Sequence, residues 1–201
     1  MNDKFFDLKR EKQDRIINAG LKVFAKHGYR HATTDDIVKE AGISKGLLFH
    51  YFTNKVGAYV FLMDYSVRFL LLELSQTVKK DTNNFFELLK QIEFGKLQVL
   101  KNYPYMQAFL DKAFEEECLE ALEECELQKE VYRAKMEEYY GQAKEQKFKN
   151  NVTHEQMQEL FRYLISGITT ESIALDTVQP EFMYIRICEY VDMMRKAYDE
   201  I

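Results

Sequence analysis

The chain has 201 residues, enough for one large domain or for a small domain beside a larger one. Hydrophobic residues make up 46% and charged residues 30%, an ordinary globular balance, and no apolar run approaches the ~20 residues that span a bilayer. The net charge of −5 argues against a nucleic-acid partner, but it is uneven: residues 1–60 hold 11 Lys/Arg and 7 Asp/Glu, a balance of +4, leaving 17 of the 28 basic and 26 of the 33 acidic residues for positions 61–201, a balance of −9.

A small basic segment on an acidic remainder is the footprint of an anion-binding head. The N-terminus, MNDKFFDLKREKQDR, has no apolar core of a secretory signal, so a cytoplasmic location is expected. Lys4, Lys9, Arg10 and Lys12 read as a frayed, solvated end, with an arm along a DNA backbone as the alternative. The stretch KQDRIINAGLKVFAKHGY repeats apolar residues at helical spacing (Ile17, Leu21 and Phe24, with Ile16, Ala19 and Val23 beside them), and Gly28 suits a left-handed cap. Thr33, with Asp36 three residues on, predicts a second helix over 34–41; Gly42 supplies a turn; Ser44 caps a third helix over 45–52. Thr53 or Asn54 caps a fourth, running through KVGAYVFLMDYSVRFLLLELSQ.

Further helices follow without strand alternation, repeat or low-complexity tract. NNFFELLKQIEFGKLQVLKNY is amphipathic, and Pro104 is placed to start PYMQAFLDKAFEEE. A charged helix is predicted over roughly 118–147, Thr153 opens the next, and Pro180 opens the last. The acid-rich EEECLEALEECE reads as a solvated face rather than a metal site, and no metal or cofactor is expected. Cys118, Cys125 and Cys188 are too few and too odd in number for a disulfide framework, and read as reduced, partly buried thiols.

Two short helices joined by AGIS form a helix-turn-helix, whose second helix enters the major groove of DNA. Ile37, Leu48 and Phe52 pack inward against Leu21 and Phe24, leaving Lys45, Gly46, Leu47, His50 and Tyr51 on the other side. Gly46 allows close backbone approach, Lys45 reaches a phosphate or a guanine edge, His50 a phosphate or base, and Leu47 a thymine methyl. Thr34 and Lys55 flank the helix and are placed to clamp phosphates.

The string IINAGLKVFAKHGYRHATTDDIVKEAGISKGLLFHYFTNK resembles the DNA-binding domain of the TetR family of transcriptional regulators. The detailed match covers about residues 10–60; beyond it only length, helical character and helix order agree. The resemblance implies an all-α fold of about nine helices, with a three-helix DNA-binding domain over 1–53 and a helical effector-binding and dimerisation domain over 54–201. It implies a homodimer on a palindromic operator, most commonly as a repressor released by a small effector. Thr34, Lys45, Gly46, Leu47, Phe49, His50, Tyr51 and Lys55 fall on positions that commonly touch DNA in the family. Position 49 is often a tyrosine whose hydroxyl bonds a phosphate; Phe49 makes either an apolar contact or a packing contact. For Leu47, contact and burial stay open.

Ten Phe and ten Tyr lie in residues 61–201, most of them core. Phe94, Tyr103, Met106, Phe109, Tyr132, Tyr139, Phe161 and Ile165 come from the helices that form the effector pocket in the family, and a mostly apolar effector is expected. The last two helices carry apolar residues on more than one side, among them Met157, Leu160, Ile165, Phe182, Ile185 and Ile187, which fits a four-helix dimer interface. The fourth helix is expected to carry a signal between the two parts. An activator, a redox or metal sensor using the cysteines, and a protein-binding adaptor are the alternatives. An enzyme is not expected, for no phosphate loop, metal-ligand spacing or nucleophile–base set is present.

Overall fold

The computed structural model describes residues 3–175 and 178–200. Nine helices occur among the described residues: α1 Arg10–His31, α2 Thr34–Ala41, α3 Lys45–Phe52, α4 Lys55–Thr77, α5 Phe85–Asn102, α6 Met106–Phe114, α7 Leu119–Gly141, α8 His154–Ala174 and α9 Pro180–Tyr198. Short 3-10 turns lie at Asp3–Phe5 and Lys149–Asn151, and one isolated antiparallel bridge joins Phe148 to Asp199. The fold is all-α, as the sequence predicts. No described helix is long and apolar enough to cross a membrane.

The chain divides into two compact units, one made of the residues up to Phe69 with Asn102–Val131, the other of Leu70–Lys101 with the residues from Tyr132 on. The first unit takes in α1 to α3, the first part of α4, α6 and the start of α7. Ile17, Leu21, Phe24, Ile37, Ala41 and Leu48 are buried at its centre, and Phe52 lies beside them. An aromatic cluster ties α1, α4 and α6: Tyr59 stands edge-on to Phe24 at 4.9 Å, to Tyr29 at 4.9 Å and to Phe109 at 5.3 Å between centroids. Such edge-to-face geometry is the preferred one for ring quadrupoles.

The N-terminal segment is anchored rather than frayed, although Lys4, Lys9 and Arg10 are exposed as the sequence predicts. Phe5 is 1% exposed and packs its ring 4.9 Å from Phe61 and 5.6 Å from Tyr51. Buried Gln13 donates its side-chain amide to the carbonyls of Phe6 (3.0 Å) and Leu8 (2.7 Å). Burying a phenylalanine contributes roughly 1.5–3 kcal/mol, which offsets part of the ~1–2 kcal/mol per residue that ordering the segment costs, and the Gln13 hydrogen bonds add to it. Arg10 is no free arm either: it pairs with Asp14 at 3.1 Å and donates to the Tyr103 hydroxyl at 3.0 Å.

The second unit is built on α5, with Phe85, Phe86, Leu88, Leu89 and Ile92 fully buried, and on inward rows of α8 (Met157, Phe161, Ile165, Ile168) and α9 (Met183, Ile187, Val191, Met194). The predicted helix over 118–147 stops at Gly141. Gln146 is held elsewhere: its amide donates to Asp199 (2.8 Å) and accepts from the Phe85 backbone N–H, and its carbonyl accepts from the His154 ring (2.7 Å). Those bonds pull the segment out of the helix, and glycine is a weak helix former at the break. Pro104 does not open α6. It sits in a turn closed by Met106 N–H on the Tyr103 carbonyl at 3.0 Å, where proline suits the second position, and the helix begins two residues later. The three cysteines are free; Cys118 just precedes α7, and burial pushes the Cys125 thiol up to about 11.

Candidate nucleic-acid interface

Local chemistry fixes α2 and α3 residue by residue. Thr33 Oγ1 accepts from the Asp36 N–H at 3.1 Å and Ser44 Oγ from the Leu47 N–H at 3.2 Å, so each helix starts on a side-chain cap. Gly42 sits at φ 61, ψ 43, the left-handed conformation that ends α2 and turns the chain. Ala41 is fully buried and Ile43 half-buried in the turn.

With Leu48 and Phe52 buried, α3 presents Lys45, Gly46, Phe49 and His50 on its exposed side, while Leu47 and Tyr51 are half-buried. A Cβ built on Gly46 meets no atom within 4 Å, so packing does not demand glycine there. The Lys45 ammonium lies 2.8 Å from the Asp35 carboxylate. Both side chains are largely exposed, so this pair is weak and yields readily to a competing anion. Tyr51 stacks edge-on to His50 at 5.1 Å and to Phe5 at 5.6 Å, which fixes its ring. Thr34 is half-buried as the first residue of α2, where backbone N–H groups lack intrahelical acceptors and favour an anion.

Lys55 has a second task that the sequence does not reveal. Its ammonium donates to the Tyr29 carbonyl at 2.9 Å and the Ala32 carbonyl at 3.3 Å, and stands 4.3 Å from the centre of the Tyr29 ring. These carbonyls follow Gly28, whose φ of 67 breaks the regular helix, so Lys55 caps the end of α1. Tyr29 is also held by Glu116, which accepts its N–H at 3.1 Å, and by Glu120, which accepts its hydroxyl at 2.5 Å. Burial, reinforced by the Glu120 bond, pushes that phenol up.

Residues 16–57 match the family model described as bacterial regulatory proteins, tetR family. The HTH-type transcriptional activator FasR of Mycolicibacterium smegmatis is 29% identical over 83 residues, 41% of this chain and 38% of that protein. The fatty acid metabolism regulator protein of Bacillus subtilis is 29% identical over 72 residues, 36% of this chain and 37% of that protein. The aligned stretch thus spans well under half of each relative. A solved TetR family transcriptional regulator from Chloroflexus aurantiacus shares the fold over 99% of this chain and 98% of its own, with a TM-score of 0.69 at 19% identity.

Over residues 16–57 the chain carries a tetR-family segment, and its fold is that of solved TetR-family regulators.

The eight residues expected around an effector divide between the two units. Tyr103, Met106 and Phe109 are buried in the first, and Tyr139, Phe161 and Ile165 in the second, where Tyr132 is half-buried and Phe94 exposed. Tyr103 is committed to a network: it donates to Asp14 at 2.6 Å and accepts from Arg10, so Tyr65, 2.7 Å away, donates to it. Burial, then the Asp14 bond, push its phenol up. Phe94 packs against Tyr184 at 5.9 Å. Sequence reading missed a buried ion pair in the second unit, Lys96 to Glu93 at 2.8 Å. Burial pulls the Lys96 ammonium down, but Glu93 outweighs it and holds the ammonium above its usual range. The i, i+3 spacing on α5 was its one sequence signal, and such pairs are far commoner on exposed faces.

Proposed function

We propose that the protein is a ligand-responsive transcriptional repressor that binds a palindromic operator as a homodimer. The observation that carries this reading is the exposed side of α3, where Lys45, Gly46, Phe49 and His50 stand clear of the core behind a capped α2 and a glycine turn. In this reading α3 enters the major groove, Lys45 and His50 read base edges, and Gly46 brings the backbone close. Phe49 and Leu47 make apolar contacts, while Thr34, Tyr51 and Lys55 hold phosphates on either side. Lys55 uses two of its three N–H groups on carbonyls and keeps the third for a phosphate.

The dimer reading is supported by the second unit. Beyond their buried rows, α8 and α9 expose Leu160, Tyr163, Phe182, Ile185 and Met193. Exposed apolar side chains of this number on two neighbouring helices support an interaction surface there. Ile165 and Ile187 are 7% and 5% exposed, so they serve the protomer core. A mostly apolar effector is supported by the aromatic content, and one matched relative is named a fatty acid metabolism regulator protein. Release requires only that the effector favour the DNA-free state; a coupling of roughly 1–3 kcal/mol lowers operator affinity about 5–150-fold. Activation is the second reading, because another matched relative is named an activator.

Selection from a random duplex pool tests the proposal. The expected outcome is an enriched inverted repeat with half-sites about one helical turn, ~34–36 Å, apart. A pool without enrichment would contradict it.

A further inference from the structure

The first unit contains a cleft of about 610 Å³ that the regulator reading leaves unused. It lies below the end of α3, between the first turns of α4 and the start of α7. Tyr51, Val60 and Phe61 form its apolar wall, and Asp64, Arg68, Glu124 and Gln128 its polar one. None of the eight expected effector residues lines it. The volume suits a drug-sized molecule.

Two observations define the occupant. The Asp64 carboxylate accepts one hydrogen bond, from Arg68 Nε at 2.9 Å, while its other oxygen is buried and has no donor. The Gln128 side-chain oxygen is likewise buried without a donor. Native folds rarely keep such acceptors unmet, and a carboxylate takes about four hydrogen bonds. The lining also carries two acidic side chains against one basic.

We propose that this cleft binds an amphipathic organic cation, a primary ammonium on an aromatic body. When the exposed Arg68 swings aside, the Asp64 carboxylate is opened to the ammonium, which brings three donors and a positive charge to the polar wall of Asp64 and Gln128. The aromatic body lies against Phe61 and Tyr51, whose ring faces attract cations. An anion meets Asp64 and Glu124 unfavourably, and a neutral hydrocarbon leaves both acceptors unmet. Arg68 competes with the ligand for Asp64; its own side chain is 77% exposed and free to swing away.

The test uses the full chain without DNA, so it is independent of the regulator reading. The protein has no tryptophan, which leaves naphthalene fluorescence unobscured. Titration with 1-naphthylmethylammonium is expected to saturate at one per chain, and matched 1-naphthylacetate to bind at least about tenfold more weakly. Asp64→Asn is expected to weaken the ammonium about tenfold, and Arg68→Ala, on an exposed side chain, to tighten it. Absence of saturable binding, equal affinity for cation and anion, or loss of affinity in Arg68→Ala would each overturn the proposal.

Discussion

Within the proposed DNA interface, Gly46 and Lys55 are specified by opposite means. Nothing in the fold needs a glycine at 46, since an added methyl meets open space. Gly46→Ala is therefore expected to keep or raise thermal stability, by up to about 1 kcal/mol of helix propensity, while operator affinity falls. Unchanged affinity would remove Gly46 from the contact surface. Lys55 is bound into the fold by two carbonyls and a ring, so Lys55→Met is expected to cost on the order of 1 kcal/mol of stability and also to lower the salt slope of DNA binding by about one unit. Denaturant unfolding and salt titration read the two effects separately; a normal slope would leave only the capping role. Lysine after the third helix was legible as a basic flank, but its carbonyl partners lie 26 and 23 residues away, beyond any local pattern.

At the scale of elements, the joint between α3 and α4 is a tight turn. Thr53 holds φ 66, ψ −51, a γ-turn closed by Asn54 N–H on the Phe52 carbonyl at 2.7 Å, and a β-branched residue is strained there. Asn54 then caps α4 by accepting the Gly57 N–H at 2.8 Å. A Cβ on Gly57 would sit 2.0 Å from that same Phe52 carbonyl oxygen, so Gly57→Ala must open the joint. The expected result is a loss of roughly 1–3 kcal/mol in denaturant unfolding; wild-type stability would show that the approach is not tight. The boundaries of α2 and α3 were readable because their determinants are local: Thr33, Gly42 and Ser44 lie within a residue of the ends they set. The end of α7 and the anchoring of Phe5 were not, because distant partners decide them: Asp199 and Phe85 hold Gln146, and Phe61 receives Phe5. Pro104 misled because the first residue of a helix and the second of a turn suit proline equally.

For the whole molecule, function as proposed needs two copies. Phe182→Glu with Ile185→Glu is expected to leave the protomer folded, since these side chains are 70% and 54% exposed, and to give monomers in sedimentation at micromolar concentration. Dimers that persist in the double variant would move the interface elsewhere. Charged residues at Ile165 or Ile187 would unfold the protomer and report nothing about assembly. The family match and the helix-turn-helix elements were legible in forty consecutive residues, whereas an effector site was not: its expected residues are spread over two units, and the cleft's unmet acceptors come from α4 and α7, far apart in sequence. The central claim is that α3 reads sequence through Lys45 and His50. Repeating the duplex selection with Lys45→Ala and with His50→Ala tests it most directly. Each variant is expected to relax or change the preferred base at symmetric positions in both half-sites, each such contact being worth about 1–3 kcal/mol of discrimination. Identical enriched sites for both variants and the wild type would contradict it.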